Sequence, residues 1–259
     1  MILSDLHVHS TWSDGKNTPE ETAQEALARG VRRLGFSDHV YAPYDTDCCM
    51  KRGMREAYQR EIRGLAQRYR GQMEILCGVE QDLFSEEPTE GYDYVIGAVH
   101  YLKIGDDYLT VDWKPEYLLE AARRLGDMYA AAELYYDQMS RVGEIPGCRI
   151  IAHFDLFRKL NRDGSLFDQR HPRYRAAWQK AADRLLPLGI PFEINTGAIS
   201  RGYQEDPYPD GEIIAYLARR GARFVLSSDS HQKQTLLYDF ARQEKRAQEN
   251  GWALTEVFA

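Results

Sequence analysis

The sequence predicts an α/β fold in which seven parallel strands alternate with helices and close into one β/α barrel. Three observations carry this expectation. Short apolar runs recur along the chain, and most are followed by a stretch of helical periodicity, the pattern that builds a parallel sheet. A length of 259 residues suits a barrel that forms a single unit. Six of the seven histidines fall in or just beyond the C-terminal ends of the apolar runs, and in a β/α barrel those ends converge on one face where functional side chains collect.

The first strand is read in ILSDL (2–6). Thr18-Pro19-Glu20-Glu21 then offers an N-cap, a proline at the first helical position and a capping-box acid, and Gly30 closes that helix. RRLGFSD (32–38) is the second strand, followed by a helix over 52–70. MEILCGVE (73–80) and YDYVIGAV (92–99) are the third and fourth. Residues 82–91 leave about ten positions between them, short of the dozen a parallel crossover normally takes, so this unit is expected to be degenerate. A helix is expected over 115–143, then CRIIAHF (148–154), a helix over 172–188 and IPFEINT (190–196). Pro209 and Gly221 frame the next helix, RFVLSSD (223–229) is the seventh strand, and a helix over 232–249 follows. No repeat, linker or shift in composition divides the chain, so residues 1–259 are read as one domain.

Composition narrows the class of function. With 33 Lys and Arg against 40 Asp and Glu the net charge is −7, and 43% hydrophobic with 28% charged residues is ordinary for a globular protein. No basic block supplies the counterion release that drives binding to nucleic acid or to an anionic membrane, so neither partner is expected. The opening MILSDLHVHS lacks the basic end and apolar core of a signal peptide, and no run reaches the length of a membrane span, which points to a cytoplasmic protein. Cys48, Cys49, Cys77 and Cys148 form no CxxC pair and are read as reduced thiols, the adjacent Cys48 and Cys49 as structural.

The chemistry gathers at the strand ends. His7, His9, His39, His100, His153 and His231 stand there, joined by Glu80 at the end of the third strand and Asp229 at the end of the seventh. His7-Val8-His9 and Asp229-Ser230-His231 each place two ligand-type side chains at i and i+2, on the same side of an extended backbone. Imidazole with carboxylate suits zinc, manganese or iron, and a carboxylate is able to bridge two cations, so a multinuclear site of two to three divalent transition metals is expected. His171, in QRHPRY beside a proline, is read as structural.

Motifs along nearly the entire chain are similar to those of a known family. DLHVHSTWSDG at the start, FSDH (36–39), GVE (78–80), AVH (98–100), AHFD (152–155) and SSDSH (227–231) resemble, in order, the motifs of the PHP (polymerase and histidinol phosphatase) superfamily. Within it, HFDLFRK (153–159), FEINTG (192–197) and the stretch SRGY…PYP (200–209) resemble the monofunctional histidinol-phosphate phosphatases. The resemblance implies a distorted, TIM-like barrel of seven strands and a trinuclear centre. It puts His7, His9, Glu80 and Asp229 on one metal, Glu80, His100 and His153 on a second, and Asp14, His39 and His231 on a third. Asp14 precedes Gly15 in a loop, where a turn aspartate is the alternative. Glu80, Asp229 and His231 are expected to carry catalysis. Asp5 and Asp38 are expected to orient neighbouring imidazoles, and Glu193, which has no matching ligand role, is read as an acid that is either structural at its strand end or an acceptor behind the ligands.

Two or three divalent cations lower the pKa of a shared water and neutralise charge building on phosphoryl oxygens. They also let a protein of net charge −7 accept a dianion. Arg158 and Arg201 are the arginines expected to clamp the phosphate, with Tyr203 and Tyr208 either walling a pocket or serving as loop aromatics. The function expected is hydrolysis of L-histidinol phosphate to L-histidinol and phosphate in histidine biosynthesis, by hydroxide attack on phosphorus at the metal centre, in a monomer or small homo-oligomer. A PHP phosphoesterase acting on another small phosphorylated metabolite or nucleotide is the alternative, and a non-catalytic metal-binding regulatory module a third reading.

Overall fold

The computed structural model describes residues 2–45 and 47–258. Among them are ten strands: β1 (Ser4–Asp5), β2 (Arg33–Phe36), β3 (Glu74–Asp82), β4 (Tyr94–Ala98), β5 (Tyr101–Ile104), β6 (Asp107–Thr110), β7 (Cys148–Ile151), β8 (Phe192–Asn195), β9 (Arg223–Ser227) and β10 (Ala253–Leu254). Eight of these form one sheet in the order β1-β2-β3-β4-β7-β8-β9-β10, every pair parallel. All seven expected segments hold a strand of this sheet, and β10 adds an eighth beside the N-terminal half of β9, where Ala253 pairs with Arg223. At the opposite rim the sheet curls onto itself. Val8 bridges Ser230, His9 N–H donates to Ser230 O at 2.9 Å and Ser230 N–H donates to His7 O at 3.1 Å. First and seventh expected strands thus meet where the functional residues stand.

Eight helices cover the described chain: α1 (Pro19–Ala28), α2 (Arg55–Arg68), α3 (Pro115–Leu125), α4 (Met128–Met139), α5 (Pro172–Leu185), α6 (Gly197–Ser200), α7 (Gly211–Arg219) and α8 (Phe240–Asn250). The capping box of α1 is formed as read, with Thr18 accepting from Glu21 N–H and Glu21 reaching back to Thr18 N–H. No helix lies between β3 and β4, in keeping with the short connection. Two expectations fail. The helix over 115–143 is two helices, because Gly126 takes φ 111° and Asp127 opens α4 by accepting from Ala130 N–H. The helix over 232–249 begins only at Phe240, since Leu237 and Asp239 have φ of 54° and 59° and Asp5 holds Leu237 N–H at 3.1 Å.

The strand alternation divides the interior in two. Along β4 and just past its end, Val95 and Val99 join the large outer core, while Tyr94, Ile96 and Ala98 join a second cluster with Leu6, Ile150, Ala152 and Val225. Tyr94 fills the space inside the barrel: its hydroxyl donates to Leu6 O, and a Cβ at Gly78 would lie 2.2 Å from its ring. Further along the same inward positions the side chains turn polar, from Gly78 to Glu80 and from Ala98 to His100. An apolar plug below and a polar layer above is what positions the site.

Candidate metal centre

His7 and His9 flank Val8, whose side chain joins the outer core, so both imidazoles turn inward. His7 Nδ1 donates to Glu193 Oε1 at 2.6 Å, which orients the ring so that Nε2 faces Glu80 Oε2 at 3.1 Å. Glu193 also accepts from His153 N–H at 3.0 Å and from Asn195 Nδ2 at 3.0 Å. Of the two readings of Glu193, the acceptor behind the ligands is therefore the one the structure bears out. Asp5 and Asp38 do something else. Asp5 accepts from the backbone N–H groups of Ser228 and Leu237, each at 3.1 Å. Asp38 accepts from Ser10 N–H at 2.8 Å, Ser13 N–H at 3.1 Å and both serine hydroxyls, and so folds the loop that carries Asp14. Gly15 permits that fold, since a Cβ there would meet Ser10 N at 2.5 Å.

Glu80 sits among five imidazoles. Its Oε1 lies 2.9 Å from His153 Nε2 and 3.4 Å from His100 Nε2, and its Oε2 lies 3.0 Å from His39 Nδ1, 3.1 Å from His7 Nε2 and 3.5 Å from His9 Nε2. Asp229 Oδ1 approaches His9 Nε2 at 3.4 Å and His231 Nδ1 at 3.5 Å. It does so with φ 50°, a left-handed conformation that aspartate tolerates better than most residues. Asp14 Oδ2 is 3.2 Å from His231 Nε2, and its Oδ1 is 3.7 Å from His9 and 3.9 Å from His39. Three donor groups result, each with its ligand atoms within 4.8 Å of one another: His7, His9 and Asp229; His39, Glu80 and His100; and His9, Asp14, His39 and His231. Every sequence-read ligand lies in this cluster, with His153 joined through Glu80.

Electrostatics match a cation site. Burial opposes ionisation of Glu80, yet His7, His39 and His100 hold its carboxyl well below the usual range. Asp229 is likewise held down against burial, by Arg201 and His7. Burial, reinforced by His231 and His39, pushes His9 down to about 3, so it is a neutral imidazole with a lone pair to give. His7 Nε2, both ring nitrogens of His9 and Glu80 Oε2 are buried with no hydrogen-bond partner. A buried polar atom without a partner costs about 1–3 kcal/mol. Concentrating four such atoms on one spot, all nitrogen or oxygen donors, fits divalent transition metals as their partners.

The cluster floors a cavity of about 290 Å3. Arg201 lines it, with its guanidinium bonded to Asp229 Oδ2 at 2.8 Å and Asp229 O at 2.7 Å. Arg158 does not. It is 3% exposed, bonds Asp155 at 2.6 Å and Gln204 at 3.0 Å, and donates to the carbonyl of Pro207, so its donors are spent inside the fold. The cation that reaches the cavity is its neighbour Lys159, whose Nζ lies 2.9 Å from Asp112 and 4.6 Å from the Tyr203 ring centre. The short 3-10 turn over Leu156–Arg158 sends consecutive side chains in different directions, and the arginine is the one turned inward. Tyr203 walls the cavity, whereas Tyr208 is fully buried behind His153. Cys48 also lines it, so of the adjacent pair only Cys49 is internal. Burial and Asp45 push the Cys48 thiol up to about 12, which keeps it protonated. Asp45, Tyr101, Asp112 and Trp113 complete the outer wall and were missed by sequence reasoning. For Tyr101, Asp112 and Trp113 the signal was the Gly105-Asp106 turn between β5 and β6, a hairpin that ends beside the site.

Among the described residues no helix is long and apolar enough to cross a membrane, and all four cysteines are free. The chain is 31% identical to a Deinococcus radiodurans protein named probable histidinol-phosphatase, over 96% of this chain and 94% of that one. It is 25% identical to the histidinol-phosphatase of Bacillus subtilis, over 93% of this chain and 97% of the relative. Among solved structures, the histidinol phosphate phosphatase of Lactococcus lactis, complexed with zinc, L-histidinol and phosphate, shares the fold with a TM-score of 0.73. Sequence identity there is 20%, covering 96% of this chain and 94% of that one. Residues 5–197 match the family described as PHP domain, and the chain belongs to that family.

Proposed function

We propose that the chain is a metal-dependent phosphoric monoester hydrolase that converts L-histidinol phosphate to L-histidinol and phosphate in histidine biosynthesis. The observation that carries the reading is Glu80, one buried carboxylate shared by five imidazoles at the floor of a small cavity with two cationic side chains in its wall. The full-length likeness to histidinol-phosphatases supports it. His7, His9, Glu80 and Asp229 would hold one metal, Glu80, His100 and His153 a second, and Asp14, His39 and His231 a third. Zinc, manganese or iron bound there supplies an activated water and neutralises phosphoryl charge.

The chain's own residues do the rest. Glu193 holds the His7 ring so that Nε2 faces the floor. Arg201, braced on Asp229, and Lys159, braced on Asp112, present N–H donors to the oxygens of a phosphate on that floor. Tyr203 packs beside Lys159 and limits the room around it. With a volume of about 290 Å3 the cavity suits a small ester. The test is phosphate release from a panel containing histidinol phosphate, other sugar and amine phosphates, a phosphodiester and single-stranded DNA, with added manganese or zinc. Histidinol phosphate should be used at least tenfold better than any other member. A different preferred ester, or full activity in strong chelator, would overturn the reading.

A further inference from the structure

A second cavity lies at the other end of the sheet. The C-terminal half of α2 and the residues that lead into β2, β3 and β4 border a groove of about 610 Å3, and none of them lines the metal-centre cavity. Glu74 stands at the groove and Glu80 at the metal centre, six positions apart on β3, so about 20 Å of strand separates the two. The wall is basic in a chain of net charge −7. Arg32, Arg63 and Arg70 line it beside two acids, Glu74 and Asp93, and both acids are already engaged. Glu74 Oε2 accepts from Arg33 Nε at 2.6 Å, Asp93 Oδ2 accepts from Cys77 N–H at 2.8 Å, and Asp93 Oδ1 lies 3.5 Å from Arg63. Arg32 and Arg70 are exposed, and among the described residues neither guanidinium has a hydrogen bond or an ion pair. The carbonyls that end α2, which would repel an anion, are taken by the chain: Gln67 O accepts from Arg70 N–H at 3.4 Å, and Tyr69 O from Gln72 N–H at 2.9 Å and Met73 N–H at 3.1 Å. Buried Ile62, Met73 and Ile75 form an apolar floor beneath the free cations. Among the described residues no aromatic ring lines the groove, so it offers a nucleobase nothing to stack on.

We propose that this groove binds a small organic dianion, its charges held by Arg32 and Arg70 and a short aliphatic body laid on Ile62, Met73 and Ile75, at a site separate from the metal centre. A guanidinium presents paired N–H donors that match carboxylate or phosphoryl oxygens, and two unpaired guanidiniums match two negative charges. The floor adds the burial of apolar surface, which a bare inorganic ion does not gain. A groove of this volume lies within the range of small-molecule sites. Metals take no part in these contacts, so the site stands whether or not a phosphoester is the substrate at the other end of the sheet.

The experiment is calorimetric titration of the metal-loaded protein with glutarate and with propylphosphonate, at a pH where both are fully ionised, and with butyrate as the singly charged control. The same titrations of Glu80→Gln and of the double variant Arg32→Gln/Arg70→Gln separate the groove from the metal centre. Wild type and Glu80→Gln should each hold one dianion per chain in the groove, with butyrate at least tenfold weaker. The double variant should lose this class of binding by at least tenfold in Kd, the scale of charge-assisted contacts removed. Because neither arginine has a partner in the fold, the double variant should keep the metal content and melting temperature of the wild type. The tighter of the two dianions identifies whether the groove prefers carboxylates or a phosphoryl-type group. Dianion binding unaltered in the double variant would overturn the site, as would binding lost in Glu80→Gln but kept in the double variant. Butyrate bound as tightly as the dianions, or a wild type that binds neither dianion, would overturn it as well.

Discussion

At Glu80 the whole proposal for the metal centre converges on one carboxylate. Glu80→Gln keeps the volume and removes the formal charge, and an amide in place of one oxygen bridges cations poorly. Activity is expected to fall by orders of magnitude, with metal content lowered and the melting temperature brought down no further than that of the chelated wild type. Turnover, metal stoichiometry and melting temperature on one preparation check this, and near-normal turnover with full metal would remove the bridge. Arg158 and Lys159 form a second test between neighbours. Arg158→Ala leaves Asp155 buried without its partner and should cost about 3–5 kcal/mol of stability. Lys159→Ala should raise KM for the phosphoester while metal content stays intact, which urea unfolding and steady-state kinetics separate cleanly. The histidines were legible because alternation puts i and i+2 on one side of a strand. Which member of the Arg158-Lys159 pair reaches the cavity depends on the pitch of a single turn, and no local pattern records that. Glu193 was legible as an acid behind the ligands or at its strand end, but which imidazole it serves was not, because His7 stands 186 residues away.

Elements were legible where they carry their own punctuation. Thr18, Pro19, Glu21 and Gly30 mark α1 from both ends, and the strand segments announce themselves by apolar runs. The break between α3 and α4 was also written, as Gly126-Asp127, but helical periodicity on both sides concealed it. The start of α8 was not legible, because Asp5, on the far side of the sheet order, captures Leu237 N–H. His171 shows how a residue with no catalytic part still has a definite task. Its Nδ1 accepts from Arg173 N–H at 3.2 Å as the N-cap of α5, and its ring stacks on Tyr129 with centroids 3.8 Å apart. His171→Ala should lower stability by about 1–2 kcal/mol, and His171→Asn should recover the capping share but not the stacking. Equilibrium unfolding of both variants, with activity of the folded protein unaltered, is the check.

Across the whole molecule, the proposed metals should be coupled to the fold. If the unpartnered atoms of His7, His9 and Glu80 are metal donors, two to three equivalents of transition metal should be found by elemental analysis. Chelation should then lower the melting temperature, by the equivalent of about 2.7 kcal/mol for a metal present at a hundred times its Kd. Re-addition of zinc or manganese should restore it. A thermal scan unmoved by chelator would show that these donors are satisfied within the chain. The ring closure has a further consequence, for synthesis. Asp5 and Ser228, bonded at the seam, are 223 residues apart, so His7 and His9 leave the ribosome long before Asp229 and His231 exist. Through most of translation these imidazoles lack Asp229, the last carboxylate of their set, and folding rates fall as such distant pairings dominate. Zinc present at the onset of refolding should therefore capture mismatched histidines and slow recovery of the native fluorescence, whereas zinc added after the ring has closed should load without delay. Metal acquisition is then expected in the last moments of a chain's assembly.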